Sequence, residues 1–295
     1  MAAAGVTRRS SRRSFDATLR THARSWTLLV GALVAVIAWE IAAQTVGRSG
    51  PQASQVMPSL GTVITEGFSG LSNFFKGGFG IASTANGAET SVLGGALALL
   101  TNGAITLFRA VFGLLLGVVV GASLGLLVSG VRPLRYGLTG VAELMRMLPT
   151  LAMAPLFTLW FGATTTASVI FIVFGVAFII FVAVTNAVRN IVPEVIEYAR
   201  TLGIRGVRMY LRVIFPAILP EVRGPLMFAG LVAWTTALAS ELYGIQSGLG
   251  WMMGETLKFS LVDQMLVVAV VFSALALATM RALSWGIGRA TRWND

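Results

Sequence analysis

The sequence has no cysteine and a single histidine, His22. Disulfides, thiolate metal sites and a cysteine nucleophile are therefore excluded. With its one histidine in a basic stretch near the N-terminus, the membrane domain has no histidine-built metal site and no Ser-His-Asp triad. Charge is scarce as well: Asp, Glu, Lys and Arg make up 12% of 295 residues, against about 25% in a soluble domain. The two lysines, Lys76 and Lys258, do not stand in a Gly-x-x-x-x-Gly-Lys-Ser/Thr loop, so no phosphate-cradling loop is visible. What is abundant is apolar: 56% hydrophobic residues, 33 glycines and a mean hydropathy of +0.80. The apolar runs are long and unbroken, unlike the alternating strands of an outer-membrane barrel, and indicate an all-α polytopic membrane protein.

A spanning helix needs about twenty mainly apolar residues. The pattern predicts about six transmembrane helices, near 26–46, 105–128, 138–160, 167–188, 225–242 and 261–287. The expected organisation is a basic cytoplasmic tail at 1–25, the first transmembrane helix at 26–46 and an external loop at 47–103. A five-helix core follows at 104–288, with a cytoplasmic loop at 190–221, and a cytoplasmic tail at 289–295. Within the external loop, 91–100 is apolar but too short to span, which fits a helix lying on the membrane surface. Arg8, Arg9, Arg12, Arg13, Arg20 and Arg24 precede the first apolar run. Such a tail could bind nucleic acid or anionic lipid, or act as a twin-arginine signal. The reading taken is that it holds the N-terminus inside, with no nucleic-acid partner. Six spans then put both termini, Arg132, Arg135 and the arginines of 190–221 on one side.

Within these spans, Gly113, Gly117, Gly121 and Gly125 recur on one helical face and read as a packing seam. Glu143 and Arg146 are placed to pair on one helical face, and Pro149 and Pro155 should kink that span. Thr235, Thr236, Ser240 and Glu241 cluster at the end of the fifth span and, with Arg146, are candidates for lining a polar path. Glu241 has a second reading, preferred here, as a cap for the glycine-rich segment after it.

The most basic internal loop is EYARTLGIRGVRMYLRVIFP, Glu197 to Pro216, carrying Arg200, Arg205, Arg208 and Arg212. Ala199 and Gly203 are spaced to share a helical face, Gly203 permits a bend, and Pro216 and Pro220 mark the return to the membrane. The spacing resembles the Glu-Ala-Ala loop of ABC-importer permeases: Glu197, Ala199, Gly203 and Pro216 match, whereas Tyr198, Val213 and Phe215 depart from it. Three further segments resemble one subfamily, the permeases for aliphatic sulfonates, taurine and nitrate: Met57-Pro58-Ser59, RMLPTLAMAPLFTLWFG from Arg146, and ELYGIQSGLGW from Glu241.

That resemblance implies a type I ABC importer permease fold in the bacterial inner membrane, multi-pass and surrounded by lipid. It implies a loop, with Glu197, Tyr198, Ala199, Gly203, Arg205, Val213, Phe215 and Pro216, that docks onto a cytoplasmic ATPase dimer. A second, identical permease copy and an external solute-binding protein complete the assembly. ATP and Mg would sit on the ATPase; no cofactor or metal is expected on this chain, nor any covalent catalysis. The alternative is a secondary transporter or channel acting alone, which often carries ionisable groups in mid-span. A membrane-embedded enzyme is disfavoured by the missing histidines and cysteines.

Overall fold

The computed structural model describes residues 30–291 except 32, 49, 51–55, 79–81 and 85–86. The arginine-rich tail, His22 and the beginning of the expected first span lie outside the described residues. The chain divides into two compact units, Met1–Thr65 and Glu66–Asp295.

The first unit is built on α1, Leu33–Gly47. Its polar side chains hold the segment that follows: Trp39 Nε1 donates to the Pro58 carbonyl (3.2 Å) and Glu40 Oε2 accepts the Leu60 N–H (3.1 Å). Ser59 starts the next helical turn by accepting the Thr62 N–H at 3.2 Å, an ordinary N-cap.

The second unit contains α2 (Val92–Ser129), α3 (Arg132–Met147), α4 (Thr150–Phe161), α5 (Thr165–Arg189), α6 (Pro193–Thr201), α7 (Val207–Leu242), α8 (Leu249–Lys258) and α9 (Val262–Ala290). Among the described residues four helices, α2, α5, α7 and α9, are long and apolar enough to cross a membrane, and the bent pair α3–α4 raises the count to five. Exposed Phe112, Leu115, Val119 and Leu127 on α2 and Val270, Leu277 and Trp285 on α9 suit helix faces turned to lipid.

The seam between α2 and α5 is set by glycine. Gly113, Gly117, Gly121 and Gly125 are all buried. A Cβ at Gly113 would come within 2.6 Å of Ile172, and one at Gly117 within 2.7 Å of Val176. At Gly121 it would overlap the Ala177 carbonyl oxygen, which is backbone and has nowhere to go. Without Cβ atoms the helix axes approach closely, and Ile172, Val176, Ile180 and Val184 join Ala229, Ala233 and Trp234 in the main core.

Four expectations need correction. The stretch 92–103 is no separate surface helix: α2 runs unbroken from Val92, capped by Ser91 accepting the Gly94 N–H at 3.0 Å. Its start is fitted closely, since a Cβ at Gly95 would overlap the Phe68 carbonyl oxygen and one at Gly94 would lie 2.8 Å from Ser72 Cβ. At its far end a Cβ at Gly130 would lie 2.8 Å from the Tyr210 hydroxyl.

The third span is not one kinked helix but two, bent by 98° between α3 and α4. Leu148 is extended, with φ −60° and ψ 135°, as a residue before proline prefers; Pro155 stays inside α4 without breaking it. Glu143 and Arg146 form no ion pair; among the described residues the ion pairs are Arg109–Glu241 and Lys258–Glu255.

The fifth span starts well before Pro225. α7 is helical from Val207, with a widened turn at Tyr210–Ile214 in which the Phe215 N–H bonds the Tyr210 carbonyl. That turn ends just before Pro216, which has no N–H to continue a regular ladder. Pro220 and Pro225 lie inside the helix. The segment after α7 contains α8, which buries Leu249, Met252 and Thr256.

Candidate functional site

At one end of the molecule the arginine-rich loop folds into α6 and a tight return to α7. The N–H of Gly203 bonds the Arg200 carbonyl and that of Ile204 bonds the Ala199 carbonyl, both at 3.0 Å. This paired arrangement closes a helix on a left-handed residue, and Gly203 supplies it at φ +76°. Gly203 therefore lies beyond the helix and does not extend its face.

Nor does Ala199 face outward with it. Ala199 is 5% exposed and belongs to the buried cluster containing Met209, Ile214 and Val184, so the expected shared docking face of Ala199 and Gly203 does not exist. The outward face of α6 and its C-cap is instead Val195, Tyr198 and the C-capping Leu202, all exposed and spaced three and four apart, one helical stripe. Glu197, Arg200 and Arg205 are exposed around it. Val213 packs against the core, Pro216 is half-buried, and Phe215 is exposed and lines an apolar groove between α2, α7 and α9.

At the opposite end of α7 the molecule buries a polar cluster. Asn102, Thr106 and Arg109 lie on one face of α2, all buried. The Arg109 guanidinium donates to Glu241 Oε1 (2.9 Å), to the Ser247 carbonyl (2.9 Å), to Ser247 Oγ (2.8 Å) and to Thr165 Oγ1 (3.0 Å). Glu241 also accepts from the Thr106 hydroxyl (2.8 Å) and the Gly250 N–H (2.9 Å). Thr106 in turn accepts the Leu249 N–H, and Asn102 Oδ1 accepts the Gly248 N–H, each at 2.8 Å.

Every residue of Ser247-Gly248-Leu249-Gly250 thus has a task. Ser247 takes Arg109, and Leu249 inserts fully buried. Gly248, at φ +102°, leaves room for the Glu241 carboxylate, which any Cβ there would overlap. Gly250 brings its N–H to that carboxylate. Arg109 and Glu241 are each 1% exposed. An ion pair this buried persists because its remaining hydrogen-bond capacity is met; of the guanidinium nitrogens, only Nε has no partner.

The polar-path candidates therefore separate. Thr236, Ser240 and Glu241 are buried inside the chain: Thr236 bonds back to Val232, and Ser240 pairs with Ser168 at 2.6 Å. Thr235 and Arg146 are exposed. Arg146 lines a cleft of about 480 Å³ with Asn186 of α5 and Glu221 of α7. Arg109, the centre of the buried cluster, was not singled out from sequence. The signal was present: a lone arginine in an apolar run must find a partner, and Glu241 beside a glycine-rich turn is such a partner.

With this geometry in hand, comparison with known proteins is specific. A family model described as "Binding-protein-dependent transport system inner membrane component" matches residues 113–285. The aliphatic sulfonates transport permease protein SsuC of Bacillus subtilis (strain 168) is 29% identical over 175 residues, 59% of this chain. That match spans 63% of the Bacillus protein, less than two thirds of its length. The taurine transport system permease protein TauC of Escherichia coli (strain K12) is 32% identical over 199 residues, 66% of this chain and 68% of TauC. A chain of the MetNI methionine ABC transporter, solved in inward-facing conformations, superposes with a TM-score of 0.56 at 20% identity, covering 64% of this chain and 94% of that one. The last likeness establishes the fold, that of a type I importer permease.

Proposed function

The chain belongs to the family of binding-protein-dependent transport system inner membrane components, and on that premise we propose that it is the permease of an ATP-driven importer of small organic sulfonates. The family is one of transport components, not of enzymes. The names of the relatives, for aliphatic sulfonates and for taurine, support the substrate class.

The observation that carries the reading is the two-sided character of α6. Its inner side, at Ala199, is part of the core. Its outer side offers Val195, Tyr198 and Leu202 on a helix too polar to lie in hydrocarbon. An exposed apolar stripe on a short helix suits a groove in a partner protein, and Glu197, Arg200 and Arg205 would orient it at the rim. The partner is a cytoplasmic ATPase dimer, which binds the ATP and Mg. Because α6 is fastened to the core that holds α5 and α7, moving it moves them, and the central path alternates between outward and inward access. A second copy of this chain completes the path, and an external binding protein delivers solute. The setting is a bacterial inner membrane with both termini cytoplasmic; reporter fusions active only outside at either end would overturn that topology.

The direct test is co-purification. Tyr198→Asp combined with Leu202→Asp should leave a monodisperse chain in the membrane yet reduce ATPase retention at least about tenfold, since a buried unpaired carboxylate costs several kcal/mol and ~1.4 kcal/mol is already tenfold. Gly203→Val should act likewise through the left-handed backbone rather than a clash, because a Cβ there meets nothing within 4 Å. Full ATPase retention and ATP-dependent uptake by both variants would overturn the proposal; uptake by the wild-type chain without any ATPase would favour a stand-alone transporter.

A further inference from the structure

We propose that the cleft between α3, α5 and α7 is a substrate subsite for a small zwitterion, an aminoalkanesulfonate, with Arg146 receiving the sulfonate and Glu221 the ammonium. The proposal deepens the importer reading and rests on it for the sulfonate class.

The cleft holds about 480 Å³, within the range of about 300–1,000 Å³ typical of small-ligand sites. Its lining is mainly apolar, with Ile179, Val182 and Phe228 among the walls, and three polar side chains converge on it: Arg146, Asn186 and Glu221. A few polar groups on an apolar wall are what fixes a ligand's orientation. Asn186 follows Ile179 and Val182 on one face of α5, and Phe228 follows Glu221 on one face of α7, so two rigid helices present these groups.

The charges are unspent. Arg146 has no hydrogen bond or ion pair to any described residue, although Glu221 lines the same cleft; the two do not come within ion-pair distance. Glu221 accepts one hydrogen bond, from Asn190 Nδ2 to Oε1 at 2.7 Å, which fixes its carboxylate and leaves further acceptor positions open. Opposite charges on separate helices, sharing a cleft but not paired, suit a molecule that carries both charges. A planar guanidinium matches an oxyanion with parallel N–H donors, and Asn186 adds a neutral donor beside it. A plain alkanesulfonate would satisfy Arg146 only and would face Glu221 with nothing to offer, at the cost of like-charge repulsion.

The test uses the full chain in nanodiscs, without binding protein or ATPase, and taurine and ethanesulfonate as probes. They share the two-carbon sulfonate and differ in the ammonium. Binding is read by saturation-transfer NMR with competition. The wild type should prefer taurine by about tenfold or more, the scale of one charge-assisted hydrogen bond. Glu221→Gln should abolish that preference while keeping ethanesulfonate, and Arg146→Gln should weaken both probes. The exchanged pair Arg146→Glu with Glu221→Arg should restore preference for taurine. Equal binding of the two probes by the wild type, no binding of either, or a preference unchanged in Glu221→Gln would each overturn the proposal. Failure of the importer reading shows separately, as absence of ATP-dependent uptake when the same chain is reconstituted with its ATPase and its binding protein.

Discussion

The two ends of α7 treat charge in opposite ways. At the Glu241 end, an arginine and a carboxylate are each 1% exposed and almost every polar atom around them is engaged. At the α6 end, Glu197, Arg200, Arg205, Arg146 and Glu221 are exposed, and Arg146 and Glu221 share a cleft unpaired. A charge spent entirely within the chain holds the chain together, whereas one left unspent is available to something else. Polarity within a membrane protein is therefore not by itself a mark of a transport path: Glu241, a path candidate by sequence, is part of the frame, while Arg146 lies where a solute can reach it.

The contrast breaks most forcefully at Arg109. Arg109→Met leaves Glu241 buried without its cation and should cost about 3–5 kcal/mol of stability. Adding Glu241→Leu should recover only part of that, because Gly250 and Thr106 still lose their acceptor. Thermal unfolding in detergent measures both; an unaltered midpoint for Arg109→Met would mean that the cluster does not hold the 247–250 turn. Next in size is the glycine seam. Gly121→Leu drives a side chain into the Ala177 carbonyl and should cost about 3 kcal/mol, the upper end for overpacking. Expression and detergent stability should both fall.

Within α6 a neighbouring pair sharpens the comparison. Ala199→Asp buries a carboxylate in the core and should destabilise the chain itself by several kcal/mol, about 3 or more. The Tyr198→Asp, Leu202→Asp variant should change stability by about 0.5 kcal/mol or less, as exposed sites do, while losing the ATPase. Similar unfolding midpoints for the two would erase the distinction between the faces of α6. The smallest effect belongs to Arg205→Ala, where a rim charge should alter ATPase retention by about threefold or less, most visibly at low salt.

Apolar periodicity made the membrane class, the four long helices and the glycine seam legible in sequence. It failed where polar residues were read as interruptions. Thr101-Asn102-Gly103 looked like the end of a loop, yet Asn102 is buried and bonded to Gly248 across 146 residues of sequence, so α2 runs straight through. The partner of Arg109 lies 132 residues away, a separation that no local pattern reveals. Pro149 was read correctly as a disturbance, but its size, a 98° turn, depends on packing around an extended Leu148. In the arginine-rich loop, the spacing placed Ala199 and Gly203 on one face by assuming that the helix continues. The helix stops at Thr201, and the face that remains belongs to Tyr198, one of the residues that depart from the family pattern.

The length of α2 has a mechanical consequence. Its 38 residues form a rod about 57 Å long, nearly twice the hydrocarbon thickness of about 30 Å, and it contains no proline. One end is seated against Phe68 and Ser72, and the other beside Tyr210 in the first turns of α7. A stiff strut of that length amplifies angles: a swing of about 5° moves its far end by about 5 Å. Between the Arg109 anchor and the α6 end, a signal need not be relayed from residue to residue, because the whole rod can tip.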